Sequence, residues 1–312
     1  MMDGGGKMKG RDLLTLKELS PKEINDIIDL GIKIKKNPEN YSTKLKDKSL
    51  AMIFQKTSTR TRISFEVGMT QLGGHAIFLD WMKTQFVMAD IKDEAKVVSK
   101  YVDCIMARLL RHADLLEIAK GSEVPVINGL CEKYHPCQTL GDLMTVKEHK
   151  GKLNGLKLVY FGIGNNVSNT LSLGCIRTGM HFTLCAPEMD SLSTDNELLN
   201  ELKASGLYNE EKDPKKAIKN ADIVYTDTWV NMEVFLDPKF EDEKNRRIKL
   251  LMPYQVNKKL LEGSNALVMH DLPAHRGYEI DDYAMTCPNS IIFDQAENRL
   301  HSQKAVLLTL IK

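Results

Sequence analysis

No stretch of this sequence is apolar for anything near the roughly 20 residues that a membrane-spanning helix requires. Met1 to Gly10 lack an apolar signal core and, rich in glycine and lysine, read as a loose tail. Net charge is missing too: 43 basic side chains against 42 acidic ones leave +1. No overall field therefore draws the chain to nucleic acid or to an acidic membrane surface, and any anion site must be local. Cys104, Cys131, Cys137, Cys175, Cys185 and Cys287 show no C-x-x-C pair and no regular spacing. That pattern favours free thiols in a reducing compartment, and the cytoplasm is the simplest location. Internal repeats and low-complexity tracts are absent as well.

What is present is ordinary globular material, 42% hydrophobic and 27% charged. A chain of 312 residues exceeds what one core organises, so two domains of roughly 150 residues are expected. Ser20-Pro21-Lys22-Glu23 opens the first clear helix, with Ser20 as cap and Glu23 closing a capping box. Short apolar runs then alternate with helical stretches: residues 50–54, 75–79, 104–108 and 124–127 read as strands. Gly73-Gly74 is a helix stop before the second of them. The polar stretch 149–155 marks a boundary, because strands resume at 156–161, 181–185, 222–226, 266–270 and 290–293. Ala296 to Ile311 is helical in pattern. The expected fold is α/β, two doubly wound parallel-sheet domains with the active site in the cleft between them. The divisions fall at 1–150, 151–294 and a C-terminal helix, 295–312.

In such sheets ligands sit beyond the carboxyl ends of strands, so residues just after a strand carry the argument. Ser58-Thr59-Arg60-Thr61-Arg62 follows one strand and opens a helix containing Phe65 and Met69. A helix start offers free N–H groups and a positive dipole end, and hydroxyl and guanidinium donors suit a phosphate. The competing reading is a solvated, arginine-rich helix start capped by Ser58. His135-Pro136-Cys137-Gln138 aims polar groups from a second helix start, although a lone histidine there also fits a buried hydrogen-bonding role. Arg108 ends an apolar strand, where a guanidinium needs an anion: a ligand, or an internal carboxylate such as Asp103 or Asp142.

Together with His270-Asp271-Leu272-Pro273 and Ala296-Glu297-Asn298-Arg299, these segments resemble the aspartate and ornithine carbamoyltransferase family, whose hallmarks are S-x-R-T-R, H-P-x-Q and H-x-L-P. The resemblance runs in order from about Leu13 to the C-terminus. It implies a carbamoyl phosphate domain, an amine domain, a C-terminal helix returning to the first, and a homotrimer, or a multiple of trimers, with active sites between subunits. By the same analogy Ser58, Thr59, Arg60 and Thr61 bind phosphate. Arg108, His135, Gln138 and Arg299 surround the carbamoyl group and phosphate, Leu272 joins them, and Gln85 reaches in from a neighbouring subunit. Attack on the carbamoyl carbon builds charge on its oxygen, which Arg108, His135 and Thr61 can stabilise. No metal or cofactor is required, and His135 has no second ligand at metal spacing.

The acceptor amine is a separate question. Gly162-Ile163-Gly164-Asn165-Asn166 approaches the dinucleotide fingerprint, but Val167 stands at the third glycine, which weakens a dehydrogenase reading. In the family a matching asparagine contacts an α-carboxylate, which assigns that role to Asn166, with a structural turn as the alternative. Asp227-Thr228-Trp229-Val230-Asn231-Met232-Glu233 resembles the ornithine-binding D-x-W-x-S-M-G signature. Asp227 would take the α-ammonium, with Asn231 and Met232 beside it, while Asn231 and Glu233 depart from the usual Ser and Gly. Asp271 departs too, standing where many ornithine enzymes carry Cys. A δ-ammonium with a pKa near 10.4 must lose a proton before attack, at a cost of roughly 4 to 5 kcal/mol at pH 7. Asp271 is a candidate to hold that ammonium and take its proton, unless it pairs with Arg276 or a backbone N–H. A second substrate carboxylate, as in aspartate, would face Asp227, Glu233 and Asp271. The expected reaction is carbamoyl transfer to ornithine. Transfer to putrescine, lysine or an acylated ornithine, and a carbamoyl phosphate-binding paralogue without turnover, are the alternatives.

Overall fold

The computed structural model describes residues 8–231 and 234–312. The chain forms two units: one runs as far as His149 and takes back Glu297–Lys312, the other is Lys150–Ala296. Among the described residues no helix is long and apolar enough to cross a membrane.

The first unit is built on a parallel sheet of β1 (Ser49–Phe54), β2 (His75–Asp80), β3 (Cys104–Arg108) and β4 (Val126–Leu130), in the order β2-β1-β3-β4. Parallel neighbours need crossovers, which Thr59–Gln71, Ile91–Ser99 and His112–Gly121 supply. The central strand β3 is buried at every position, and β1 from Leu50 onward, because helices cover both faces. Leu13 seals the far edge, donating to Val126 O and accepting from Asn128 N, both at 2.8 Å. Helix Pro21–Lys36 begins at the expected capping box: Glu23 N donates to Ser20 Oγ at 3.3 Å and Ser20 N to Glu23 Oε2 at 2.8 Å. Such a cap contributes about 1 kcal/mol, and the helix then buries Ile24, Ile27, Ile28 and Ile34.

The second unit carries β5 (Lys157–Phe161), β6 (His181–Cys185), β7 (Tyr208–Glu210), β8 (Ile223–Thr226) and β9 (Leu267–His270), all parallel, in the order β7-β6-β5-β8-β9. In both units the strand order reverses beside the first strand, so crevices open at the carboxyl ends of β1 and β3 and of β5 and β8. Register sharpens this. Phe54 pairs with Arg108 and Arg108 with Leu130, while Phe161 pairs with Thr226 and Thr226 with His270. Asp227 and Asp271 therefore leave adjacent strands at the same level.

Three expectations change. Residues 290–293 are not a strand: Ser290 makes a single bridge to Val268, and helix Ile292–Leu310 begins, with Gln295 N bonded to Ile291 O at 2.9 Å. The fourth strand starts at Val126 rather than Val124, because Val124 is engaged on both sides by the Ser122 hydroxyl and Pro125 has no N–H to donate. The N-terminal tail is shorter than expected. Met8 is buried and Gly10 N donates to Leu310 O at 2.8 Å, while residues 1–7 lie outside the described part of the chain.

Candidate active site

In the first unit Ser58 caps helix Thr59–Gln71, its Oγ accepting from Thr61 N at 3.2 Å, so the capping role is realised. The helix start and its positive dipole end then stand at the carboxyl end of β1. Thr61 is the meeting point. Its buried Oγ1 accepts from Ser58 Oγ at 3.1 Å, from Arg299 Nη2 at 3.3 Å and, at the limit of a hydrogen bond, from Arg108 Nη1 at 3.5 Å. Arg299, on helix Ile292–Leu310, also donates through Nη1 to Gln138 Oε1, and Gln138 Nε2 donates to Asp142 Oδ1 at 2.9 Å, which fixes the amide's orientation. Asp103, one candidate partner for Arg108, is instead taken by Lys48 Nζ at 3.0 Å and Ser49 N at 2.8 Å.

His135 immediately precedes helix Pro136–Lys150 and is buried. Burial holds its pKa well below the usual histidine value, and the charges of Arg299, Arg108, Arg60 and Lys56 push it further the same way. The imidazole is therefore neutral at pH 7, with one N–H to donate, amid four cations. A phosphate is the natural guest of such a place. Two predicted residues stand differently. Arg62 turns to the Phe78 ring, 3.9 Å away, and to Glu66 at 3.3 Å. Gln85 is exposed at the start of a 3-10 turn, Gln85–Val87, beyond β2.

The second unit gathers acids. Asn165 caps helix Asn166–Arg177, its Oδ1 accepting from Val167 N and Ser168 N at 3.0 Å each and from Tyr160 OH at 3.1 Å. Its Nδ2 donates to Asp227 Oδ2 at 2.6 Å. The structural turn role thus belongs to Asn165, leaving Asn166 half-buried at the first helical position. Asp227 is buried, and its other oxygen accepts from Thr228 N at 2.5 Å. Burial pushes its pKa well up, and the Asp271 carboxyl group, in hydrogen-bond contact, pushes it further. Two carboxyl groups in contact disfavour being charged at the same time. Asp271 does not pair with Arg276, which bonds Asp282 at 2.6 Å; polar atoms of Asp227, His270 and Asp271 all lie within 4.8 Å of one another.

His270 sits 3.4 Å from Asp271 Oδ1 through Nδ1 and 3.3 Å from Glu279 Oε1 through Nε2. Burial lowers its pKa, but those two carboxylates outweigh burial and carry it up to about 9. The Leu272 N–H opposes a second proton: it donates to Nδ1 at 2.8 Å and needs a lone pair there. This hydrogen-bond pattern is that of a neutral ring with its proton on Nε2, facing Glu279. Leu272 is held at φ +58°, a conformation a branched side chain adopts only under constraint. Sequence reasoning missed Glu279, fully buried, which also accepts from His275 N at 2.5 Å, and Gln295, whose Oε1 accepts from His270 N at 2.9 Å. Neither lies in a motif of recognisable spacing. Asn231 is exposed, and Met232 and Glu233 lie outside the described residues.

The glycine loop after β5 is occupied by the chain itself. Gly164 N donates to Glu188 O at 3.0 Å, Asp190 N donates to Gly164 O at 2.7 Å, and the Met189 side chain lies against Gly164. A pyrophosphate has no such approach here.

Comparison with known proteins follows the same two units. The family model described as aspartate/ornithine carbamoyltransferase, carbamoyl-P binding domain, matches residues 11–148, and that described as aspartate/ornithine carbamoyltransferase, Asp/Orn binding domain, matches residues 154–310. The ornithine carbamoyltransferase of Pyrococcus horikoshii is 44% identical over 97% of this chain and 96% of its own length. That of Archaeoglobus fulgidus is 44% identical over 96% of this chain and 97% of its own. A solved structure of ornithine carbamoyltransferase from Pyrococcus furiosus superposes with a TM-score of 0.90 at 42% identity, covering 97% of this chain and 98% of that one.

Proposed function

Because this chain belongs to the aspartate/ornithine carbamoyltransferase family, we infer that it transfers the carbamoyl group of carbamoyl phosphate to the side-chain amine of ornithine, giving citrulline and phosphate. The observation that carries the donor half is the gathering of Arg60, Arg108, Arg299 and Lys56 around a buried, neutral His135 at a helix start. Ser58, Thr59, Arg60 and Thr61 bind the phosphate. Arg108, His135, Gln138 and Arg299 surround the carbamoyl group, with Leu272 and a neighbouring subunit's Gln85 completing its contacts. As the amine attacks, a C–N bond forms and charge grows on the carbamoyl oxygen. Arg108, the His135 N–H and the Thr61 hydroxyl stabilise that charge, the C–O bond to phosphorus breaks, and phosphate leaves.

The acceptor half rests on the carboxyl pair Asp227 and Asp271, a place for cationic nitrogen and a poor one for a second substrate carboxylate. Asp227 takes the α-ammonium with Asn231 and Met232, and Asn166 takes the α-carboxylate. Asp271 receives the proton that the δ-ammonium must lose. Gln85 acts across subunits in a homotrimer or a multiple of trimers, and the six free cysteines suit the reducing cytoplasm. Phosphate release measured with ornithine, putrescine, lysine, acetylornithine and aspartate tests the reading. Ornithine should be the fastest substrate by a wide margin, and equal rates across the panel would sink it.

A further inference from the structure

One side chain ties together the loops that flank Asp227. Arg247, on helix Glu241–Leu251, is only 19% exposed and spreads its guanidinium over three partners. Nη1 donates to the Trp229 carbonyl oxygen at 3.2 Å, Nη2 to Asp190 Oδ2 at 3.1 Å and Nε to Glu243 Oε1 at 2.8 Å. Asp190 is bonded in turn to Gly164, its N–H donating to the Gly164 carbonyl at 2.7 Å. Gly164 precedes Asn165, whose amide holds Asp227 at 2.6 Å, and Trp229 lies two residues beyond Asp227. A single planar fork therefore closes a ring from Asp227 through Trp229, Arg247, Asp190 and Gly164 to Asn165 and back.

Its neighbour Arg246 is equally rich in ionic contacts and reaches the same loop through the Glu188 side chain, at 2.8 and 3.0 Å, and Glu243 at 2.7 and 2.8 Å, but its bonds leave out Trp229. Of the two arginines it is Arg247 that bonds the segment carrying Asp227. A guanidinium bonding a main-chain carbonyl and a carboxylate at once restrains backbone position, and a lysine cannot reproduce that geometry.

We propose that Arg247 is a positioning residue for the amino-acid subsite, holding Trp229, and through it Asp227, where the substrate ammonium is received. The kinetic consequence rests on ornithine being the acceptor; the restraint itself does not. The full-length enzyme is assayed with ornithine and carbamoyl phosphate varied separately. Arg247→Met raises KM for ornithine on the order of tenfold or more, with KM for carbamoyl phosphate unchanged. Arg247→Lys, which keeps the charge and loses the fork, falls between, and Arg246→Ala keeps the wild-type KM for ornithine. A substrate-free readout runs alongside: in a Trp81→Phe background Trp229 is the sole tryptophan, and Arg247→Met moves its emission to longer wavelength as water reaches the ring, while Arg246→Ala does not. An unchanged KM for ornithine in Arg247→Met, an equal rise in Arg246→Ala, or an unmoved emission overturns the proposal. If the wild-type enzyme does not use ornithine, the acceptor assignment fails, and the emission arm still decides the restraint. Should Arg247→Met not accumulate, Arg247→Lys decides both arms.

Discussion

Gly162→Ala tests how closely the substrate loops are packed. Gly162 directly follows β5 at φ +124°, and a Cβ there would lie 2.9 Å from Trp229 Nε1 and 3.2 Å from Trp229 Cδ1. That φ costs an alanine about 1–3 kcal/mol, and overpacking against a buried ring adds about 1–3 kcal/mol. The stiffer unfolded chain returns about 0.4–1 kcal/mol. The net loss is near 3 kcal/mol, which for a unit of this size lowers Tm by about 6–12 °C. Gly155→Ala is the control: its φ is also positive, at +79°, but nothing lies within 4 Å of the added carbon. It should cost about 1 kcal/mol. Scanning calorimetry and urea titration measure both variants. Because the displaced ring follows Asp227 by two residues, Gly162→Ala should also raise KM for ornithine and spare that for carbamoyl phosphate. Equal stability losses in the two variants would refute the claim that Trp229 fills the space over Gly162.

Asp271→Asn should lower kcat with ornithine by tenfold or more while leaving carbamoyl phosphate binding, followed by calorimetry, unchanged; unaltered kinetics would remove Asp271 from the proton path. Arg299→Met leaves Gln138 and Thr61 without a shared donor, and phosphate protection against thermal unfolding should weaken by about 1.5–3 kcal/mol in binding energy. His135 has a depressed pKa in the folded chain, so the unfolded chain binds its proton first as the pH falls below about 6.5. Its contribution to stability is present above that pH and is lost on acidification, at up to about 1.4 kcal/mol per pH unit. His135→Asn should therefore flatten the fall in urea midpoint between pH 6.5 and 5.5, and an unchanged slope would refute the depressed pKa.

Where local chemistry and tertiary contacts ask for the same thing, the sequence was readable. Ser20 and Glu23 announced a helix start, and apolar runs such as Cys104–Arg108 announced strands covered on both faces. Ser290–Phe293 was ambiguous because four apolar-leaning residues have no decisive period, and the helix ladder claimed Ile292. β7, Tyr208–Glu210, is three residues long and polar, a strand only because β6 offers it an edge. Of the residues that meet at Thr61, Ser58 and Arg108 stood out because they sit at or just after strand ends, whereas Arg299 comes from the last helix and was reached only through the family resemblance. The acid cluster was half legible: Asp227 and Asp271 fall within motifs, but Glu279 reaches His270 from a loop nine residues on and leaves no pattern.

The route of the chain sets an order on biosynthesis. Arg299 bonds Gln138 across 161 residues and Thr61 across 238, and all of Lys150–Ala296 is made in between. A nascent chain that has folded the first sheet still lacks one of the guanidinium groups that meet on Thr61. The set of donors on Thr61 cannot be complete until Lys150–Ala296 has left the ribosome. Translation thus withholds the last contact of the first unit until the second has been made.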